Sequence, residues 1–222
     1  MVGKRAASLQ KSSSRIRQIV SRLEKAYPAA QCTLTHSNSL ELLIATMLSA
    51  QCTDERVNLV TRDLFRKYRT AEDYVHVPGE ALEKDIQSTG FYRNKARSIQ
   101  GACRMILEKF SGAVPDGMED LLKLPGVARK TANVVLGVAY GKADGIVVDT
   151  HVFRVSRRLG LAISETAEKV ERELMQAIPR NRWISFSHQV IVHGRKICKA
   201  RKPFCSNCPL EKLCNSDDKV FT

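Results

Sequence analysis

Apolar residues fall at helical spacing along almost the whole chain, a regularity that leaves little room for anything but helices. In SRIRQIVSRLEKAY, Ile16, Ile19, Val20 and Leu23 make one stripe opposite a basic face. SLELLIATMLSAQC is apolar nearly all round and reads as a central buried helix. DERVNLVTRDLFRKY carries Val57, Val60 and Leu64 on one side, with Asp54 as the expected cap. Further helices fit EALEKDIQS, NKARSIQGACRMILEKF, MEDLLKL, ARKTANVVLGVAY, THVFRVSRRLG, ETAEKVERELMQAI and RWISFSHQVIVHGR. Pro78-Gly79, Gly90, Pro115-Asp116-Gly117, Gly141 and Gly145 punctuate them. Only GIVV, Gly145 to Val148, resembles a strand, and it is too short to pair into a sheet of its own. The expected fold class is all-α, many short helices followed by a cysteine-rich tail.

The 222 residues suffice for one domain or two small ones. The 36 Lys and Arg against 23 Asp and Glu give a net charge of +13. A surplus of that size favours a polyanionic partner, of which nucleic acid is the commonest, with simple solubility as the plain alternative. Membrane binding is disfavoured, because no window approaches the roughly 18 apolar residues a spanning helix needs. The N-terminal MVGKRAASLQKSSSRIRQIV lacks an apolar core and is no secretory signal, although its want of acidic residues before Glu24 leaves a transit role open. The chain is expected to be intracellular, with its seven cysteines reduced.

Four of those cysteines crowd the tail. Cys198, Cys205, Cys208 and Cys214 are spaced C-x6-C-x2-C-x5-C within 17 residues. A zinc ion and a [4Fe-4S] cluster each accept four thiolates. Zinc sites usually pair two short knuckles, and only Cys205 and Cys208 form one here, so the wider gaps favour the cluster. Cys32, Cys52 and Cys103 stand alone and read as small core residues. Between the first two tail cysteines, Lys199, Arg201 and Lys202 occupy a loop anchored at both ends. They are fixed cations for a phosphate, or a solvated charge run.

A second feature is LPGVARKTANVV, Leu124 to Val135. Leu121, Leu122 and Leu124 close a short helix, Pro125-Gly126 turns the chain, and Val127 begins the next helix. The first N–H groups of that helix have no internal partner and make, with the helix dipole, an anion site suited to a backbone phosphate. This is a helix-hairpin-helix, which alone implies only sequence-independent DNA binding, with Lys130 as a phosphate contact. Beside Arg129 at a helix start, however, Lys130 lies in a positive field that favours the free amine. A free amine can attack a sugar carbon and form a Schiff base. Such chemistry needs a carboxylate to stabilise developing positive charge or to move protons. Asp149 in GIVVDTHVFRVSRRLG is the candidate. By position it is first of all an N-cap, for a helix with Val152, Val155 and Leu159 inward and Arg154, Arg157 and Arg158 on the other face.

Together these elements resemble the endonuclease III family of helix-hairpin-helix DNA glycosylases. The resemblance runs from about Ser37 and rests on LLIATMLSAQCTD, TGFYRNKA, LPGVARKTANVV, VDTHVFRV and the four-Cys tail, in the family's order. It implies two helical domains flanking a DNA-binding cleft: a six-helix barrel over residues 31–142, and an iron–sulfur domain made of residues 1–30 and 143–222. It implies that Lys130 is the Schiff-base nucleophile, Asp149 the essential carboxylate, and Cys198, Cys205, Cys208 and Cys214 the [4Fe-4S] ligands. Pro125, Gly126, Val127, Ala128 and Arg129 would grip DNA together with Lys199, Arg201 and Lys202. Gln51 matches the residue that fills the gap left by an extruded nucleotide, and Phe91 a wedge in the opposite stack. This sequence has Phe91 where the family usually has a smaller aliphatic, Ala128 for the second hairpin glycine, and Cys52 where Ala is common.

The activity so implied is bifunctional: excision of oxidised pyrimidines from double-stranded DNA and nicking by β-elimination, also at abasic sites, by a monomer without membrane contact. A mismatch adenine glycosylase would lack the hairpin Lys and carry a further domain, whereas this chain ends eight residues after Cys214. A mismatch-specific thymine or uracil glycosylase is the nearer alternative, and a non-catalytic iron–sulfur DNA-binding protein the alternative from another class.

Overall fold

The computed structural model describes residues 2–221. Met1, Thr222 and the side chains of residues 2–12 lie outside that description, and with them most of the basic N-terminal stretch read above for targeting signals. The described residues form eleven α-helices and no strand. By contacts the chain divides into two compact units, Cys32–Asp144 and Met1–Gln31 with Gly145–Thr222.

Helix α1 (Val2–Ala26) belongs to the second of these. The unit Cys32–Asp144 is organised on α2 (Ser39–Leu48), in which Leu42 to Leu48 are buried without interruption. That explains its all-round apolar sequence, each aliphatic side chain contributing about 1.5–3 kcal/mol by leaving water. Asn38 caps it, accepting the N–H of Glu41 at 2.9 Å. Around it lie α3 (Asp54–Lys67), α4 (Ala71–His76), α5 (Gly79–Ile86), a 3₁₀ turn (Gln87–Thr89), α6 (Tyr92–Phe110), α7 (Met118–Lys123) and α8 (Arg129–Tyr140).

Three local expectations change. The cap of α3 is Thr53, whose hydroxyl accepts the N–H of Arg56, while Asp54 sits in the first turn and accepts from the Thr33 hydroxyl. Helix α4 was not expected, because six residues are too few for a periodic signal. It is held by a reciprocal capping box between Thr70 and Asp73. Finally, α8 starts at Arg129 rather than Val127, with Ala128 as its N-cap.

The other unit packs α1 with α9 (Thr150–Arg158), α10 (Ala167–Ala177) and α11 (Trp183–Lys196). Ile19, Leu23, Val152, Val155, Leu174 and Phe186 are fully buried in its core. Helices α9 and α11 pass so closely at Gly194 that a Cβ there would come within 2.9 Å of the His151 Cβ. The tail is tied to α1 by main-chain carbonyls. Arg15 donates to Leu213 O at 2.8 and 3.0 Å, and Arg22 donates to Pro209 O at 3.1 Å. The GIVV segment forms neither helix nor strand. Ile146 and Val148 are buried, and Val147 N donates to Ser187 Oγ at 3.1 Å. Of the three isolated cysteines, Cys103 is buried while Cys32 and Cys52 are half-buried.

Candidate active site and cysteine centre

The hairpin in the unit Cys32–Asp144 follows from local chemistry. Val127 N donates to Leu124 O at 3.1 Å, closing a turn with Pro125 and Gly126 in the middle. Gly126 has φ +77, and a Cβ there would meet Ser98 Cβ at 2.7 Å. Glycine is therefore required twice over, by the turn and by packing on α6. Ala128, in place of the family's second glycine, has φ −90 and ψ 169, ordinary extended backbone that an alanine adopts freely.

Helices α2, α3, α4, α9 and α10 each begin with a side-chain cap, but α8 has none. Helices α5, α6, α7 and α11 lack one as well. Val127 is buried and its N–H is engaged in the turn. Pro125, Gly126 and Ala128 are exposed, and Lys130, second residue of α8, is exposed beside half-buried Arg129.

Gln51 and Phe91 lie in the same unit, well separated in sequence, yet both border one groove with Met47, Asn94, Lys95 and Gly126. Phe91 is 64% exposed. Both residues occupy the left-handed region, with φ 53 for Gln51 and 48 for Phe91. Non-glycine residues in that conformation store strain and cluster at functional sites.

In the other unit, Asp149 is the N-cap of α9, its Oδ1 accepting the Val152 N–H at 2.7 Å. It is half-buried. Cys198, Cys205, Cys208 and Cys214 are free thiols lining one cavity. Among the described residues, no three His, Cys, Asp or Glu are grouped so as to hold a single metal ion. The four thiols share the lining of that one space. Donors reach their sulfurs: Arg158 Nη1 to Cys198 Sγ at 3.4 Å, and Val220 N to Cys205 Sγ at 3.3 Å. Burial pushes the Cys208 thiol up to about 11 and holds His193, 3.7 Å away, down to about 4.

The loop between Cys198 and Cys205 is shaped by two arginines for which the sequence offered only a place on the outer helix face. Arg154 donates to Cys198 O at 2.9 Å and Gly194 O at 3.0 Å. Arg158 donates to Lys199 O at 2.7 Å and Ala200 O at 3.2 Å, and pairs with Asp218. Lys199, Arg201 and Lys202 are exposed on that framework. The Lys199 ammonium lies 4.6 Å from the Phe204 ring centroid. The only sequence signal for the arginines was their spacing, four apart on the short helix α9, which α10 and α11 separate from the tail.

Residues 44–180 match the HhH-GPD superfamily of base excision DNA repair proteins. Endonuclease III of Synechocystis sp. is 53% identical over 202 residues, covering 91% of this chain and 92% of that protein. The chain belongs to the endonuclease III family. It is a DNA glycosylase and AP lyase of base excision repair. Its fold agrees: the structure of a non-covalent endonuclease III–DNA complex aligns with a TM-score of 0.88 at 51% identity, covering 91% of this chain and 95% of that one. A trapped endonuclease III–DNA covalent intermediate, an estranged-adenine complex, aligns equally well, with the same TM-score of 0.88 and 51% identity over the same shares of the two chains. No helix among the described residues is long and apolar enough to cross a membrane.

Proposed function

We propose that this endonuclease III family member excises oxidised or ring-saturated pyrimidines from duplex DNA, with Lys130 as nucleophile and Asp149 as its carboxylate partner. The single observation that carries the assignment is the exposed Lys130 at the uncapped start of α8, directly after a turn that only glycine can make. The α8 N-terminus receives a backbone phosphate, and the Lys130 amine is thereby held near the adjoining sugar. Its nitrogen attacks C1′ as the bond from C1′ to the base breaks, and the base leaves with a proton. Asp149 stabilises the positive charge that develops on the sugar. Ring opening gives an imine between Lys130 and C1′. Loss of a C2′ proton then expels the 3′ phosphate by β-elimination, and water releases the enzyme.

Gln51 enters the space left by the extruded nucleotide and Phe91 wedges into the opposite stack, offsetting the few kcal/mol that unstacking costs. Both stand at the rim of one groove in the turns described above, which supports the pairing. Lys199, Arg201 and Lys202 contact phosphates. The protein acts as an intracellular monomer, in the nucleoid if the cell is prokaryotic.

The cysteine centre fits a [4Fe-4S] cluster. Cys198, Cys205, Cys208 and Cys214 would hold it, since all four thiols line one space and their sequence gaps are wider than those of paired zinc knuckles. When bound, the cluster supplies a rigid cross-link for the tail. Arg154 and Arg158 then set the path of the basic loop.

The substrate class is tested with a panel of duplexes, each carrying one lesion. Excision and nicking are expected for thymine glycol and related pyrimidines, with little action on a normal thymine or uracil mismatch. Preference for the mismatch would replace this reading with that of a mismatch glycosylase.

A further inference from the structure

Lys95, on α6, is only 7% exposed. Lysine is almost never buried unless its ammonium is paired. Here it donates to two main-chain carbonyls, Leu48 O and Thr89 O, each at 2.8 Å. Leu48 is the last residue of α2, so its carbonyl is among those that a helix leaves without an internal partner. Thr89 is the last residue of the 3₁₀ turn. Gln51 follows three residues after the first, and Phe91 two residues after the second.

One ammonium therefore sits at the root of both turns that hold a non-glycine residue at positive φ beside the groove. A backbone of that kind persists only where its surroundings over-determine it. The residue type is explained by the carbonyls. A methionine would fill the same space without a charge to desolvate, but it would leave two buried acceptors unpaired. Lysine, with three rotatable donors on a compact head, reaches between carbonyls that arrive from different segments.

We propose that Lys95 is a positioning residue that clamps the Gln51 and Phe91 turns together, presetting both side chains for insertion into DNA. The proposal rests on the reading of Gln51 and Phe91 as the inserted groups. With the turns already ordered, little of the insertion energy goes into fixing backbone. Because both turns hang on one group, loosening it affects both residues at once.

The test uses a duplex with a stable abasic-site analogue and 2-aminopurine in the opposite strand, whose fluorescence rises on unstacking. Lys95→Met is expected to keep its helical circular dichroism and its binding to undamaged duplex. It should lose most of the fluorescence rise at saturating protein, and single-turnover base excision should slow by about tenfold or more. Borohydride trapping at a preformed abasic site in single-stranded DNA, where no stack has to be entered, should change by less than about twofold.

Combining Lys95→Met with Phe91→Ala should add little further loss, since both act on one step. A folded Lys95→Met variant with an unimpaired fluorescence response would overturn the proposal, as would an equal loss of single-stranded trapping. If Gln51→Ala and Phe91→Ala both respond like the unaltered protein, the insertion reading itself fails and the clamp with it. Should the Met variant not fold, Lys95→Gln takes its place. If neither folds, hydrogen exchange on the unaltered protein decides. The Cys52 and Gly90 amides, bonded to Ser49 O and Gln87 O, should be protected like those of α2, and exchange at a free-loop rate contradicts the clamp.

Discussion

Asp149 Oδ1 accepts the main-chain N–H of Val152 at 2.7 Å, so the side chain proposed as the catalytic carboxylate is also the cap of α9. The cap occupies one lone pair of one oxygen. It fixes the carboxylate at the start of α9, and the proposed mechanism assigns the second oxygen to the reacting sugar.

The two roles separate by substitution. Asparagine caps as well as aspartate, so Asp149→Asn should change thermal stability by less than about 0.5 kcal/mol. It should nonetheless lose about 10²–10⁴-fold in single-turnover base excision, because the charge is gone. Asp149→Ala should lose the activity and about 1 kcal/mol of stability as well. Calorimetry beside the kinetics checks both, and an active Asn variant would reduce Asp149 to a cap.

The basic loop gives a prediction in salt. Each phosphate contact contributes about 0.9 to the slope of log K against log salt. Replacing Lys199, Arg201 and Lys202 by Ala should flatten that slope by about 2–3 for a non-cleavable duplex. A slope unchanged in the triple variant would make the loop a solvated surface. Because Lys199 also stacks on Phe204, its single variant should relax the loop as well as remove a charge.

The cysteine centre predicts colour. Purified anaerobically, the protein should be yellow-brown, absorb broadly in the visible blue, and hold about four irons per chain. Cys205→Ser should lose most of the iron and, with it, the ordered loop. A colourless protein with one zinc per chain would contradict the cluster.

Much of this was legible along the chain, for reasons that can be named. Burial on every side writes itself into α2 as an unbroken apolar run, and the turn before α8 into Pro125-Gly126. Helix starts were read less well. Thr53 and Asp54 are neighbouring residues that both cap helices, and rank alone favours Asp54, yet the cap is Thr53. The extended φ of Ala128, which delays α8 to Arg129, has no residue signature at all. Helix α4 was too short for periodicity, although Thr70 and Asp73 spelled out its capping box.

The supporting side chains were hardest. Arg154 and Arg158 lie on the polar face of α9, and only the returning tail turns that face into a binding surface for carbonyls and a sulfur. Lys95 stands in a motif that was recognised, but a lysine reads as solvent-facing until both carbonyls that hold it are seen. Long-range partners of this kind are set by the packing of distant segments, which local patterns do not encode.

The Lys130 amine is the centre of the account, and its test is a single covalent bond. Incubated with a lesion-bearing duplex and borohydride, the protein should form a stable adduct that peptide mass spectrometry places on Lys130. Lys130→Ala should still bind the duplex but give no adduct. A cross-link that persists in Lys130→Ala, or maps to another residue, would contradict the mechanism.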